Sequence, residues 1–322
     1  MTDDVLRIGK VSCPPGSRGY GLVEVAASPD GSPMGFPVLL VNGARPGPRL
    51  CVGAGIHGDE YESMEAVRRL LQEAAPRTLR GALVGLPCIN PPAFQAGSRT
   101  SPVDHLNLNR VFPGDPSGSL SMRWAATFVR EVIPNVDAFV DLHNGGAAGV
   151  IAPCTIVQGG YEHLAMPLGL MVGHELIWKG GAWGGTARIS TLQAGKPAVT
   201  VEIGGGGGYQ EETVTLHLKG LRNVMRGLKL LDGEPETCRE YKEIKGTLTR
   251  ASCAGFFRAA ARPGQPVKAN AVLATIVNHL GDTLEVLRAP RDGLVLWIRS
   301  RPPIFPGEDA VVFVEIVGRV TP

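Results

Sequence analysis

The chain has 322 residues, of which 43% are hydrophobic and 19% charged, with a formal net charge of +2. That length holds one large α/β domain plus a small one, or two ordinary domains. So small a charge excess gives no reason to expect nucleic acid or a membrane surface as partner, and no apolar run is long enough to span a bilayer.

The start of the chain, MTDDVLRIGK, is too polar for a signal peptide. The six cysteines, Cys13, Cys51, Cys88, Cys154, Cys238 and Cys253, are scattered without a C-x-x-C pair, so no disulfide framework is expected. Cys51 and Cys88 lie in apolar runs and read as reduced, buried small hydrophobes. These features together point to a cytoplasmic protein.

From about Arg7 to Asn42, β-type runs (Tyr20 to Ala26, Phe36 to Val41) alternate with turns such as Asp30-Gly31, a strand-rich lead-in. A strand is expected over Leu50 to Ala54 and a helix over Tyr61 to Glu73, with Met64, Val67 and Leu70/Leu71 at helical spacing. Ala82 to Cys88 reads as a buried strand that Asn90-Pro91-Pro92 ends. A long Pro/Ser/Gly-rich loop then runs to Ser119; loops of that length in compact domains are functional or disordered.

Further on, Leu120 to Val132 is helical by pattern, Ala138 to Leu142 a strand running into His143, and Ile151 to Val157 another strand. A helix follows over Tyr161 to Val172, then a strand over Ala198 to Ile203 ending in Gly204 to Gly208, then a helix over Glu211 to Leu231. This order implies an α/β layered domain with a largely parallel or mixed sheet. After Asp232-Gly233-Glu234-Pro235 only short β-type runs remain, among them Gly255 to Ala259, Val272 to Val277, Leu294 to Ile298 and Val311 to Ile316. The expected division is residues 1–235 and a small all-β domain at 236–322, with hairpins like those of a biotinyl/lipoyl-type barrel sandwich. No lysine stands in its candidate carrier turn, Asn278 to Gly281, so it is not read as a cofactor carrier.

The chemistry gathers at strand ends. His57 and Glu60, three residues apart at a strand-to-helix corner, can aim an imidazole and a carboxylate at one point and so supply two ligands of a catalytic zinc. His143, at the carboxyl end of its own strand, is the third ligand candidate, and Asp141 on the same strand face is a candidate support behind it. An H-x-x-E tetrad alone has an ordinary reading, so the case rests on the set. The histidines at 105, 163, 174, 217 and 279 lack an acidic companion at ligand spacing and read as structural or solvated. Glu202 closes an apolar strand, where a carboxylate is costly without a partner or a task. It reads as a general base, against the plain alternative of a partly exposed turn residue. The glycine run after it could cradle a phosphate but lacks the Lys-Ser/Thr of a P-loop. In the long loop, Arg99 and Arg110 suit an oxyanion or a substrate carboxylate; taken singly each could equally be a surface ion pair.

His57-x-x-Glu60, Asn109-Arg110 before Phe-Pro-Gly, Asp141-Leu142-His143, and Glu202 before a glycine run occur in this order. The set resembles the zinc-carboxypeptidase superfamily and, more narrowly, the succinylglutamate desuccinylase/aspartoacylase family, over roughly residues 45–231. The small C-terminal β domain is also similar to one that family carries. The resemblance implies one zinc held by His57, Glu60 and His143, and Glu202 as the catalytic glutamate. It further implies that Asn109 and Arg110 hold the substrate carboxylate and that Arg99 polarises the scissile carbonyl. The family's lid group finds no motif here, which leaves the acyl group open.

The sequence therefore predicts a zinc-carboxypeptidase-like α/β fold, a mixed sheet flanked by helices with a small C-terminal all-β, barrel-sandwich-like domain. The expected activity is a zinc-dependent amidohydrolase that removes an acyl group from an N-acylated amino acid or similar small carboxylate. The alternatives are a metallocarboxypeptidase acting on short peptides, action on a related ester, and a non-catalytic binding protein with a vestigial metal site. The expected partner is a small carboxylate-bearing N-acyl compound, with neither nucleic acid nor membrane. A homo-oligomer is compatible with the sequence, which fixes no oligomeric state, and the ligand set accepts metals other than zinc.

Overall fold

A computed structural model describes residues 5–180 and 184–321; the first four residues of the polar N-terminal stretch lie outside the described residues. The strands are β1 (Leu6–Ile8), β2 (Val11–Cys13), β3 (Ser17–Ala27), β4 (Pro33–Asn42), β5 (Arg45–Gly53), β6 (Arg80–Leu86), β7 (Ala138–His143), β8 (Gly149–Val157), β9 (Leu176–Lys179) and β10 (Ala198–Gly205). The C-terminal stretch is all β: β11 (Tyr241–Arg250), β12 (Gly255–Ala259), β13 (Pro266–Val267), β14 (Val272–Val277), β15 (Thr283–Arg288), β16 (Gly293–Arg299), β17 (Pro303–Ile304) and β18 (Asp309–Val320). The helices are α1 (Tyr61–Glu73), α2 (Pro91–Gln95), α3 (Leu120–Glu131), α4 (Glu162–Val172), α5 (Ala187–Gln193) and α6 (Glu211–Gly227).

Twelve strands form one mixed sheet in the order β13-β16-β18-β11-β9-β8-β10-β7-β5-β6-β4-β3. Its centre is parallel, β10 on β7, β7 on β5 and β5 on β6. These strands read as apolar runs because both faces are covered, and β7 is buried at every position. An additional pairing of β16 with β8 closes β8, β9, β11, β18 and β16 into a ring. The C-terminal stretch is thus hydrogen-bonded directly to the α/β layer, and a four-stranded sheet, β15-β14-β12-β17, completes it.

The main core is built from Val52, Leu83, Phe139, Val140 and Val199 of the sheet with Val67, Leu71, Phe128 and Leu221 of the helices. A second cluster around Leu273, Val295, Val311 and Phe313 fills the C-terminal region, and a third inside the ring holds Ile151, Cys154, Ile244, Leu296 and Val314. All six cysteines are free thiols. Among the described residues no helix is long and apolar enough to cross a membrane.

Differences from the sequence reading have local causes. The loop before Ser119 contains α2, which starts on Pro91 with the Asn90 side chain accepting from Ala93 N, an N-cap and first-turn proline in the preferred places. It also contains a 3-10 turn over Leu108–Arg110. Helix α6 stops at Gly227, four residues short of Leu231, because Lys229 turns to a φ of 61°. Strand β9 and helix α5 are too short, at 4 and 7 residues, to leave a periodic signature.

Candidate active site

Strand β5 delivers the chain to the His57 corner, and α1 starts immediately beyond it, so His57 and Glu60 share one turn. Strand β7, hydrogen-bonded in parallel to β5, ends at His143. The three side chains meet. His57 Nδ1 lies 2.7 Å from Glu60 Oε1, His143 Nδ1 2.9 Å from Glu60 Oε2, and the two Nδ1 atoms are 3.2 Å apart. All three residues are buried, and their ligand atoms fall within 4.8 Å of one another, so they could hold a metal ion. Two imidazole nitrogens and a carboxylate suit zinc and neighbouring divalent metals.

The outer nitrogens of both rings face acceptors. His57 Nε2 is 3.1 Å from Asn107 Oδ1 and His143 Nε2 is 3.0 Å from Asp141 Oδ2. An acceptor there favours the proton on Nε2 and turns the Nδ1 lone pair inward, toward a metal. Asp141 therefore stands where the strand parity puts it, behind His143. Asn107 in this role left no sequence signal beyond its nearness to Asn109.

Burial, with Arg99 nearby, pushes the His57 imidazole down to about 4. For Glu60, burial opposes ionisation, but His57 and His143 hold the carboxyl well below its usual range. Burial likewise works against protonated His143, yet the Asp141 and Glu60 carboxylates raise it well above an ordinary histidine. The two rings are thus shifted in opposite directions about one carboxylate.

Glu202 enters from the adjacent strand, since β10 pairs with β7 in the register that sets Glu202 beside His143. Paired residues of neighbouring strands project to the same face, so the register alone brings this carboxyl to the cluster. Burial, with the Glu60 charge also raising it against His143 and Arg99, lifts the Glu202 carboxyl to about 8. Past it the chain turns through Gly204 to Gly207, all with left-handed φ between 75° and 113°, open to glycine and strained for other residues. Gly206 N donates to Gly146 O at 2.7 Å and to Gly149 O at 2.8 Å, and Gly207 N to Gly146 O at 3.2 Å. These two N–H groups are spent on protein carbonyls and are not turned to a ligand.

Arg99 reaches in from the long loop and donates Nη1 to Glu60 Oε1 at 3.2 Å, with about half of its side chain exposed. Asn109 is buried: its Oδ1 accepts from Ala187 N at 3.1 Å and its Nδ2 lies 3.2 Å from His143 Nε2. The structure thus brings Asn109 behind His143. Arg110 is exposed and donates to the Asn109 carbonyl at 2.7 Å, within electrostatic reach of Arg99 and Glu202. Sequence reasoning missed Arg188 on α5, a buried guanidinium near Asp141 and Glu202 that donates to Gln158 Oε1 at 3.0 Å. Burial lowers it to about 10; its short helix gave no motif to mark it. Outside the cluster, His217 is buried on α6 with no hydrogen-bond partner for either ring nitrogen, in keeping with its structural reading.

A cavity of about 480 Å³ opens beside the cluster. Arg99, Asn144, Gly145 and Glu202 line its inner part, while Trp178, Trp297, Val312, Arg299 and Glu308 come from the ring strands and the turn before β18. Arg299 is tied down, donating to Glu308 Oε2 at 2.9 Å and to the carbonyls of Arg301 and Pro303. The C-terminal stretch therefore forms a wall of the cavity.

Residues 46–228 match the model of the succinylglutamate desuccinylase/aspartoacylase catalytic domain. The chain is 30% identical to the N-alpha-acetyl-L-2,4-diaminobutyric acid deacetylase of Halomonas elongata, with 92% of each chain covered. Among solved structures it is similar to a succinylglutamate desuccinylase from a Silicibacter species, at a TM-score of 0.87 and 25% identity over 96% of this chain and 99% of that one. It is similar as well to the product-bound ectoine-utilisation protein EutE (DoeB) of Ruegeria pomeroyi, at 0.85 and 26% over 98% and 99%.

Proposed function

The chain belongs to the succinylglutamate desuccinylase/aspartoacylase family, and from that premise we propose that it is a metal-dependent amidohydrolase releasing the acyl group of a small N-acylated amino acid. The observation that carries the reading is the convergence of His57 Nδ1, the Glu60 carboxylate and His143 Nδ1 on one point beside Glu202. We read residues 1–235 as a zinc-carboxypeptidase-like catalytic domain, residues 236–322 as an accessory β domain, and the protein as cytoplasmic.

His57, Glu60 and His143 would hold one zinc ion, which when bound supplies a Lewis acid and lowers the pKa of water. Glu202 takes the proton of the attacking water and returns it to the departing amine; burial lifts this carboxyl to about 8 in the metal-free fold, and a cation held by the neighbouring cluster would favour its ionised form. Arg99, alongside Glu60 at the inner end of the cavity, stabilises the oxyanion that forms at the carbonyl. Arg110 anchors the substrate carboxylate through its planar fork. Asn109 serves from behind, its Oδ1 fixing the Leu108–Arg110 turn to the Ala187 amide.

The Halomonas relative makes an Nα-acetyl diamino acid the first substrate to try. The peptidase alternative is less well served, because the β16 and β18 wall narrows the cavity that a peptide would have to cross. The test is metal-reconstituted protein against a panel of N-acetyl and N-succinyl amino acids beside short peptides. Release of acetate or succinate from a panel member supports the reading; cleavage of peptides alone overturns it.

A further inference from the structure

The residues between His143 and β8 join three parts of the site. Asn144 N donates to Glu60 Oε2 at 3.2 Å, and Asn144 Nδ2 to the buried Glu62 Oε2 at 2.6 Å. Gly145 N donates to Gly204 O at 3.0 Å, which ties the loop to the turn beyond Glu202. Ala147 N donates to Asp59 Oδ2 at 2.8 Å, and Asp59 is buried beside the ligand corner. On the far side, Ser300 N donates to Ala148 O at 2.9 Å. Gly149 lies so near the Trp297 indole that a Cβ there would come within 2.3 Å of the ring. Asn144, Gly145, Ala148 and Trp297 all line the cavity.

We propose that Asp59 is a positioning residue for substrate binding: through the Ala147 amide it sets the 144–149 loop, and through that loop the placement of Trp297 in the cavity wall. Its carboxylate is the group of the His57–Glu60 corner that bonds to the middle of the loop, and Gly146 is packed against it, an imagined Cβ lying 2.9 Å from Asp59 Oδ2. Charged acceptors bind N–H groups more strongly than neutral ones, so losing this one loosens Ala147, whose carbonyl accepts from Ser300 Oγ at 3.4 Å, while Gly146 and Gly149 remain tied to Gly206 N. The ligand atoms stay in place, because Glu60 keeps its bonds to His57, His143 and Asn144 N. Asp59 thereby acts on the substrate side of the site rather than on the metal. The inference rests on the hydrolase reading above.

The experiment compares Asp59→Ala and Asp59→Asn with wild type for bound metal per chain, for kcat and KM on the best panel substrate, and for tryptophan emission. The Asn side chain keeps an oxygen for the Ala147 amide. Asp59→Ala should retain metal, raise KM about tenfold or more with a smaller change in kcat, and shift the emission; Asp59→Asn should restore most of the KM. A cycle with Trp297→Phe separates a local effect from the coupling, since residues acting through one another are non-additive: the double variant should bind substrate no worse than the poorer single one. If Asp59→Ala does not fold, Gly146→Ala takes its place in the cycle. Additive losses, loss of metal together with activity, or an unchanged KM would each overturn the proposal. Absence of turnover by metal-loaded wild type on every panel member would instead remove the hydrolase reading, and the positioning role with it.

Discussion

Glu202 and His143 are direct partners in register across the parallel pair β10 and β7. The proposed base and a metal-ligand candidate are therefore fixed relative to each other by backbone hydrogen bonds, with no dependence on a mobile loop. Replacing Glu202 by Gln keeps the shape and removes the proton acceptor. Metal content should stay at the wild-type level while kcat falls by about 10²–10⁴-fold; steady-state kinetics with elemental analysis checks both. Retained turnover in this variant would break the mechanism.

The same carboxyl leaves a mark on the metal-free protein. Its ordinary value is 4.5 and burial lifts it to about 8 in the fold, so between those limits the folded chain keeps a proton that the unfolded chain has released. Its stabilising contribution is complete below about pH 4.5 and is lost as pH rises through about 8, at up to about 1.4 kcal/mol per pH unit. His143, raised by Asp141 and Glu60, acts in the same direction above its ordinary 6.5. Urea unfolding of metal-free protein at several pH values should show stability falling toward alkaline pH, and Glu202→Gln should flatten the fall. An equal slope in both proteins would contradict the assignment.

His174 and His217 have the opposite sign. Burial pushes them down to about 4 and about 3, so the stability they contribute is present above pH 6.5 and drains away as pH falls toward those values. Because neither nitrogen of His217 has a partner, an apolar replacement leaves no orphaned group behind. His217→Leu should be close to wild type near pH 7 and should lose less stability on acidification, measured by thermal unfolding at pH 7 and pH 5. A steeper acid loss in the variant would refute this.

The acceptors behind the ligands give a fourth expectation. Asp141→Asn should weaken metal binding about 10–100-fold, since the Asp141 carboxylate lies 3.0 Å from the outer nitrogen of His143 and its charge supports that ring. Because the Asp141 and Glu60 carboxylates favour the protonated form of His143 against its burial, metal and proton should compete there, and affinity should drop as pH falls. Competition with a chromophoric chelator at two pH values reads both effects. Unchanged affinity in Asp141→Asn would show that the contact is idle.

Arg110 offers a fifth. Arg110→Ala should raise KM for carboxylate-bearing substrates with little change in kcat, as expected when uniform binding is removed. An unchanged saturation curve would take the anchoring role away from it.

Much of this architecture was legible in the sequence because it rests on long periodic segments. Helix α1 spans Tyr61–Glu73 as its apolar spacing predicts, and the apolar runs leading to His57, His143 and Glu202 are the central strands β5, β7 and β10. Three neighbouring parallel strands of the mixed sheet bring the residues at their ends to one edge, which is why a distant triad could be read from linear order. What stayed hidden depends on contacts rather than periodicity. Asn107 supports His57 only because a 3-10 turn folds the loop back, and Arg188 reaches Asp141 and Glu202 from a helix of 7 residues. Neither the pairing of β16 with β8 nor the wall it builds against the cavity has a signature in either strand alone.

The central claim is that His57, Glu60 and His143 hold the metal on which hydrolysis depends. The most direct measurement is metal per chain in wild type and in His57→Ala, taken with hydrolysis of the N-acetyl and N-succinyl amino-acid panel. About one zinc per chain in wild type, lost together with turnover in the variant, is the predicted result. Wild-type protein that neither carries nor takes up metal, or turnover that survives the loss of metal in His57→Ala, would contradict it.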